Sequence, residues 1–254
     1  SLARLVVMHL TRMRLVVGTL LVAGWSVAAV PTGLTVDAIV TAPEMRAPRA
    51  AHTATALGNG RVLVAGGFVE KGSATHAELF DATSGRFLPL PPMQAIRHRH
   101  TATPLPDGRV LLAGGYGEGS RTLAVAELFD PRTGRFTPTG SLLQARADHV
   151  AVALDDGRVL VAGGLGPDWT FLASAEIYDP ASGRFSLTGP MHVAREGHAA
   201  VRLDDGRVLV VGGHLGRRTA MVVHASAETF DARTGRFTRV GDLQVRRHKH
   251  DAVR

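Results

Sequence analysis

Cysteine is absent from the 254 residues. Its absence excludes disulfides, thiolate metal sites and a cysteine nucleophile, and is neutral about compartment. No window of residues 46–254 shows a helical period, so the apolar residues there belong to strands. No basic run resembles a nucleic-acid tail: the formal charge is +7, and only +4 once Arg4, Arg12 and Arg14 are set aside. Nucleic acid is therefore not an expected partner. What the chain has in quantity is glycine and proline, 29 and 13 residues. They fall at fixed intervals, which makes them punctuation and not low complexity.

The interval is 48 or 49 residues over the first four copies. Paired glycines recur at Gly66-Gly67, Gly114-Gly115, Gly163-Gly164 and Gly212-Gly213. In phase with them stand Glu78, Glu127, Glu176 and Glu228, each followed two or three residues later by an aromatic residue and Asp. A third motif, Arg-x-x-His, begins at Arg49, Arg97, Arg146, Arg195 and Arg247. Three motifs held in one register define a repeat protein.

Residues 1–30 stand outside the repeat. Three arginines precede the uncharged run 15–30, which ends in Val27-Ala28-Ala29. A basic start, a short apolar stretch and small residues at its end read as a secretory signal peptide. The alternative is an uncleaved anchor, for which 16 residues is short against the ~20 of a usual span. The expected location is secreted, periplasmic or cell-surface, with membrane contact only through an uncleaved segment. Within 31–45, Ile39 precedes Met45 at the spacing that separates Phe136 from Leu142. Residues 37–42 are thus expected to be a lone closing strand.

Each unit reads as four strands, a to d. In the second copy a is 100–105, b is 109–113, c is 126–129 and d is 135–137. Asn59-Gly60, Asp107-Gly108, Asp156-Gly157 and Asp205-Gly206 join a to b. Such pairs predict a two-residue type I′ turn, which needs positive φ at both central residues. Asp130-Pro131 and Gly134 join c to d as a turn. The boundaries are 46–92, 93–141, 142–190 and 191–242, with a partial fifth unit at 243–254. A four-stranded sheet that is apolar on both faces must stack on its neighbours. Radial stacking makes the expected fold an all-β propeller of four-stranded antiparallel blades.

The order Arg-x-x-His, strand, Gly-Gly, strand, aromatic-Asp-Pro, Thr-Gly-x-aromatic resembles the kelch family, over roughly Met45 to Arg254. Phe87, Phe136, Phe185 and Phe237 stand where many kelch repeats have tryptophan. The resemblance implies a ring of five to seven blades, commonly closed by a blade built from both chain ends. Here strands b and c of such a blade are missing, so the expectation is an open arc from a sequence truncated at its carboxyl end. The kelch group also includes galactose oxidase, a copper enzyme that uses a cysteine-linked tyrosine, a second tyrosine and two histidines. With no cysteine, and only Tyr116 and Tyr178 as phenols, that chemistry is not available in this chain. No cofactor and no metal site is expected.

A residue present in every blade more naturally serves the blade than a unique site. The five Arg-x-x-His motifs are read as structural, with Arg tying its loop to the neighbouring blade through Glu78, Glu127, Glu176 or Glu228 while His caps strand a. The glycine pairs lack the helix and Gly-Lys-Ser/Thr of a phosphate loop; close backbone approach accounts for them. What varies is the b–c loop, at 68–76, 116–125, 165–174 and 214–226. These loops and the d–a loops leave one face, where recognition is expected. Asp168, Trp169 and Phe171 suggest a stacking platform for a sugar or a peptide anchor, against the plainer reading of Trp169 packed over a blade edge. Arg97, Arg99, Arg217 and Arg218 make the face basic and favour an anionic partner.

The expected function is a non-catalytic secreted scaffold that binds a protein or an envelope glycan through the loop face. The alternative is a carbohydrate-active kelch enzyme, similar to the sialic acid mutarotases or to an oxidase, with catalytic residues partly beyond Arg254.

Overall fold

Strand b of the second unit, Val110–Ala113, is buried along its whole length. Successive side chains point to opposite faces, so a strand apolar at every position needs cover on both sides. Neighbouring sheets provide it. Val110 and Leu112 pack with Leu63 and Ala65 of the unit before, while Leu111 and Ala113 pack with Val159 and Val161 of the unit after.

The computed structural model describes residues 44–69 and 72–253. Blade 1 consists of Thr53–Gly58, Arg61–Ala65, Ala77–Asp81 and Arg86–Pro89; blade 2 of Thr101–Pro104, Val110–Ala113, Ala126–Asp130 and Arg135–Pro138. Blade 3 consists of Val150–Ala153, Val159–Ala162, Ala175–Asp179 and Arg184–Leu187; blade 4 of Ala199–Arg202, Val208–Val211, Ala227–Asp231 and Arg236–Val240. All four are antiparallel meanders in the order a-b-c-d. Strands a of successive blades lie side by side, which sets them nearest the common axis. In each blade the aromatic residue of strand c sits across from the Phe of strand d, with ring centroids 4.8–5.0 Å apart.

The a–b turn differs from the type I′ expectation in three blades of four. Only Asn59-Gly60 has positive φ at both residues. In the others the glycine alone is left-handed, and Gly108 N–H donates to Leu105 O across the turn Leu105-Pro106-Asp107-Gly108. Asp107 stays right-handed because its carboxylate accepts from both the backbone N–H and Nε of Arg109, at 3.0 and 2.7 Å. Asp156 with Arg158 and Asp205 with Arg207 repeat the device.

The repeated arginine also departs from expectation, because it braces its own blade. Arg97 Nη1 donates to Gly114 O and Val125 O, and Nη2 to Glu127 Oε1 at 2.7 Å. Glu127 further accepts the backbone N–H groups of Gln94 and Ala95. Every acceptor lies within 93–141, since the guanidinium reaches only the strand ends beneath its own loop. The histidine makes the crossing instead: His100 Nε2 meets Thr53 Oγ1 at 3.0 Å, and His149 Nε2 meets Thr101 Oγ1 at 2.9 Å. The glycine pairs complete the joint. Gly115 N–H donates to Arg146 O of the next blade at 2.8 Å, and a Cβ on Gly115 would stand 2.7 Å from His98 O.

Residues 243–253 form no strand, contrary to the expected start of a fifth strand a, since no strand b is present for them to pair with. They dock on blade 4 through Leu243 and Ala252, and Gly213 N–H donates to Arg247 O. The expected signal segment and closing strand lie outside the described residues.

Candidate functional site

The two middle residues of each Arg-x-x-His motif vary from blade to blade, and they surround the axis on the loop face. The third position of the motif is left-handed every time: Ala51 at φ 55°, Arg99 at 52°, Asp148 at 52°, Gly197 at 60° and Lys249 at 51°. A non-glycine residue there costs about 1–2 kcal/mol, and the cost is met by hydrogen bonds from blade to blade. Arg99 N–H donates to Ala51 O, Asp148 N–H to Arg99 O, and Lys249 N–H to Gly197 O. A rim of backbone thus carries a varied side chain at four of its five positions, with Gly197 bare.

The residue before it pairs with the one that follows the glycine pair. His98 bridges to Tyr116, Ala147 to Leu165, and Glu196 to His214. This layer is aromatic. The His98 ring lies 3.7 Å from Phe68 and 5.3 Å from Tyr116, and Tyr116 lies 5.8 Å from Trp169. Arg217 covers the indole at 4.0 Å from its centroid, a cation–π contact.

Trp169 reaches this place from a costly turn. Asp168 and Trp169 are both left-handed, at φ 52° and 60°, between Pro167 and Thr170, whose N–H donates to Pro167 O. This is a type I′ arrangement, which favours glycine at its second central position. Blade 2 has Gly119-Ser120 in the equivalent turn. A tryptophan held so is strained by about 1–3 kcal/mol, and Ser120 repeats the conformation at φ 59° in blade 2, so the strain belongs to the turn. The Trp169 side chain remains half exposed.

The mouth encloses ≈310 Å³. Arg99, Arg217 and Lys249 face Asp148 and Glu196 across it. Arg99 Nη1 donates to Asp148 Oδ1 at 2.8 Å, and this bond holds the guanidinium pKa above its usual value. Burial raises the Glu196 carboxyl, Asp148 adds to the rise, and Arg217, Lys249 and Arg99 oppose it. Its Oε2 lies 3.7 Å from His214 Nε2, whose pKa is lowered by burial and then by His248. Burial also raises the Tyr116 phenol, so it stays a donor at neutral pH. Among the described residues no cluster of three His, Asp or Glu side chains is placed to hold a metal ion.

The expected residues divide. Trp169, Arg217 and Arg99 meet at the mouth. Arg218 opens on a neighbouring hollow beside Gly216 and Met221. Arg97 is withdrawn from the binding set: it is fully buried against Glu127, so it adds nothing to the surface charge. Of the expected platform, Asp168 and Trp169 line one hollow together, and Phe171 does not join them. Phe171 bridges back to Leu165 and is half buried against the cluster of Tyr116, Ala147 and Leu165, while Asp168 faces outward. Glu196, a blade-specific carboxylate of the sequence, lies at the mouth, and Asp148 and Tyr116 join it unforeseen. The signal for Asp148 was present, as a varying residue inside a repeating motif.

Blades of this pattern around a loop-face mouth define a kelch-type β-propeller. The family model for the Kelch motif matches residues 146–192, blade 3 with the start of the next unit. Among solved structures, one titled "Structure of YjhT" superposes with a TM-score of 0.63 at 17% identity, covering 80% of this chain and 68% of that one. No curated protein matches the chain in sequence.

Proposed function

We propose that the chain is a non-catalytic binding scaffold that takes an acidic envelope glycan in the loop-face mouth. The observation that carries this reading is Trp169, mounted on a strained turn and half exposed beside Tyr116 and Arg217. An indole edge and a phenol give a sugar ring apolar contact. Arg99, Arg217 and Lys249 outnumber Asp148 and Glu196 by one charge at the mouth. Export, supported by the composition of residues 1–30, belongs to the same proposal.

A glycan array probed with the signal-free protein tests it. Retention of acidic glycans by the parent protein and its loss in Trp169→Ala supports the sugar reading. Protein capture that is indifferent to Trp169→Ala assigns the face to a protein partner instead. One observation favours a carbohydrate-active enzyme as a second reading: Glu196, a buried carboxyl with a raised pKa next to His214, has the makings of an acid–base pair. Turnover of a sugar by the parent protein, abolished in Glu196→Gln, would establish that reading.

A further inference from the structure

Behind Trp169 lies a second hollow of ≈370 Å³, running outward between the turns at 118–121 and 167–170. It shares Tyr116, Ser120 and Trp169 with the axial mouth, and the indole is the partition between them. Each hollow stands near the lower bound of about 300 Å³ for small-ligand sites, room for one sugar unit and not for a chain. Both linings mix cations with carboxylates: Arg99, Arg217 and Lys249 with Asp148 and Glu196 in the mouth, and exposed Arg121 with Asp168 and the hydroxyls of Ser120 and Thr122 in the outer hollow.

Tyr116 sits at the junction. Its side chain is 5% exposed and its Oη, buried, has no hydrogen-bond partner. An unsatisfied buried hydroxyl costs about 1–3 kcal/mol, so its position calls for an acceptor supplied by a ligand.

We propose that the two hollows are consecutive subsites for a linear acidic oligosaccharide with a carboxylate on successive units, the Trp169 indole standing between them. The inference rests on the glycan reading of the mouth and extends it to a polymer that crosses from blade 3 to blade 2. An extended peptide fits less well. The backbone of both turns is already bonded internally, Gly117 N–H to Arg121 O and Gly166 N–H to Thr170 O, which leaves no free edge for an added strand.

The test is calorimetric titration of the full chain, at low salt, with α-1,4-linked galacturonate oligomers of one to four units. The dimer is expected to bind about tenfold or more tighter than the monomer, the gain of joining two weak sites. Arg121→Ala is expected to remove most of that gain at an unchanged melting temperature. Equal affinity for monomer and tetramer would overturn the second subsite and leave the axial glycan site standing, as would a gain that survives Arg121→Ala. Binding of none of the four oligomers would overturn the inference, and the acidic-glycan array then decides separately whether the underlying reading falls with it.

Discussion

Arg146 Nη2 donates to Glu176 Oε1 at 2.8 Å, and neither side chain is reached by solvent. The same pair closes blades 1, 2 and 4, as Arg49 with Glu78, Arg97 with Glu127 and Arg195 with Glu228. The charge is well supported: Glu176 also accepts the N–H groups of Leu143 and Gln144, and Arg146 Nη1 donates to Gly163 O and Ser174 O. In blade 4, burial pushes the Glu228 carboxyl up, yet His192 and Arg195 together hold it below the usual range.

Removing one partner from a buried pair leaves an uncompensated charge, at a cost of about 3–5 kcal/mol. Glu176→Gln is therefore expected to lower the melting temperature by on the order of 10 °C, with ligand affinity of the still-folded protein unchanged. Calorimetry and titration of the same sample check both halves. A variant that melts normally and fails to bind would place Glu176 in the site and not in the frame.

The inter-blade histidine bond is incomplete in two joints, at His198 and at His250. His100 and His149 meet Thr53 and Thr101, but Val150 occupies the equivalent place opposite His198 and offers no hydroxyl. Val150→Thr, nearly equal in volume, is expected to stabilise the chain by about 0.5–1.5 kcal/mol, read as a higher denaturant midpoint. A lower midpoint would show that the joint holds the imidazole by packing alone.

These histidines also set an acid limit. Burial, seconded by Arg97, Arg146 and Arg195, lowers the pKa of His100, His149 and His198, the last to about 3. Below the ordinary value of 6.5 the unfolded chain binds protons that the folded chain refuses, so stability falls as pH falls. The loss is expected to begin near pH 6.5 and continue toward about 3. Melting temperature measured across that window checks it; a flat profile from pH 6.5 to 4.5 would contradict it.

At Trp169 a glycine would accept the φ of 60° without strain. Trp169→Gly gains back that strain of about 1–3 kcal/mol and loses the Arg217 and Tyr116 contacts, about 0.5–1.5 kcal/mol each. The melting temperature is expected to stay within about 3 °C of the parent while glycan binding is abolished. Binding that persists would remove the indole from the site.

The frame was legible because its requirements are local and repeated. Paired glycines, apolar strand b and the Arg-x-x-His spacing each state a backbone need that recurs in phase. The Asp-Gly turns were misjudged because Asp107, Asp156 and Asp205 find a partner two residues on, and that hydrogen bond selects right-handed backbone over the type I′ pair. Arg97 was misplaced on the surface because a motif tells which residues meet and not which way a side chain turns. The mouth was only half legible. Trp169 and Arg217 announced themselves as loop residues and Glu196 as a blade-specific carboxylate, whereas Asp148 hid inside a structural motif. Asp148 and Glu196 become neighbours only through the curvature of the arc.

The left-handed rim has a consequence for how such a chain acquires a new specificity. Because much of its shape is held by peptide groups handed from blade to blade, the side chains at 51, 99, 148 and 249 carry little of the frame beyond the Arg99–Asp148 pair. They behave as interchangeable fittings on a fixed flange. A charge can be reversed or an aromatic ring installed at one of the four already filled by a side chain without redrawing the opening, and the same scaffold can then greet a different ligand.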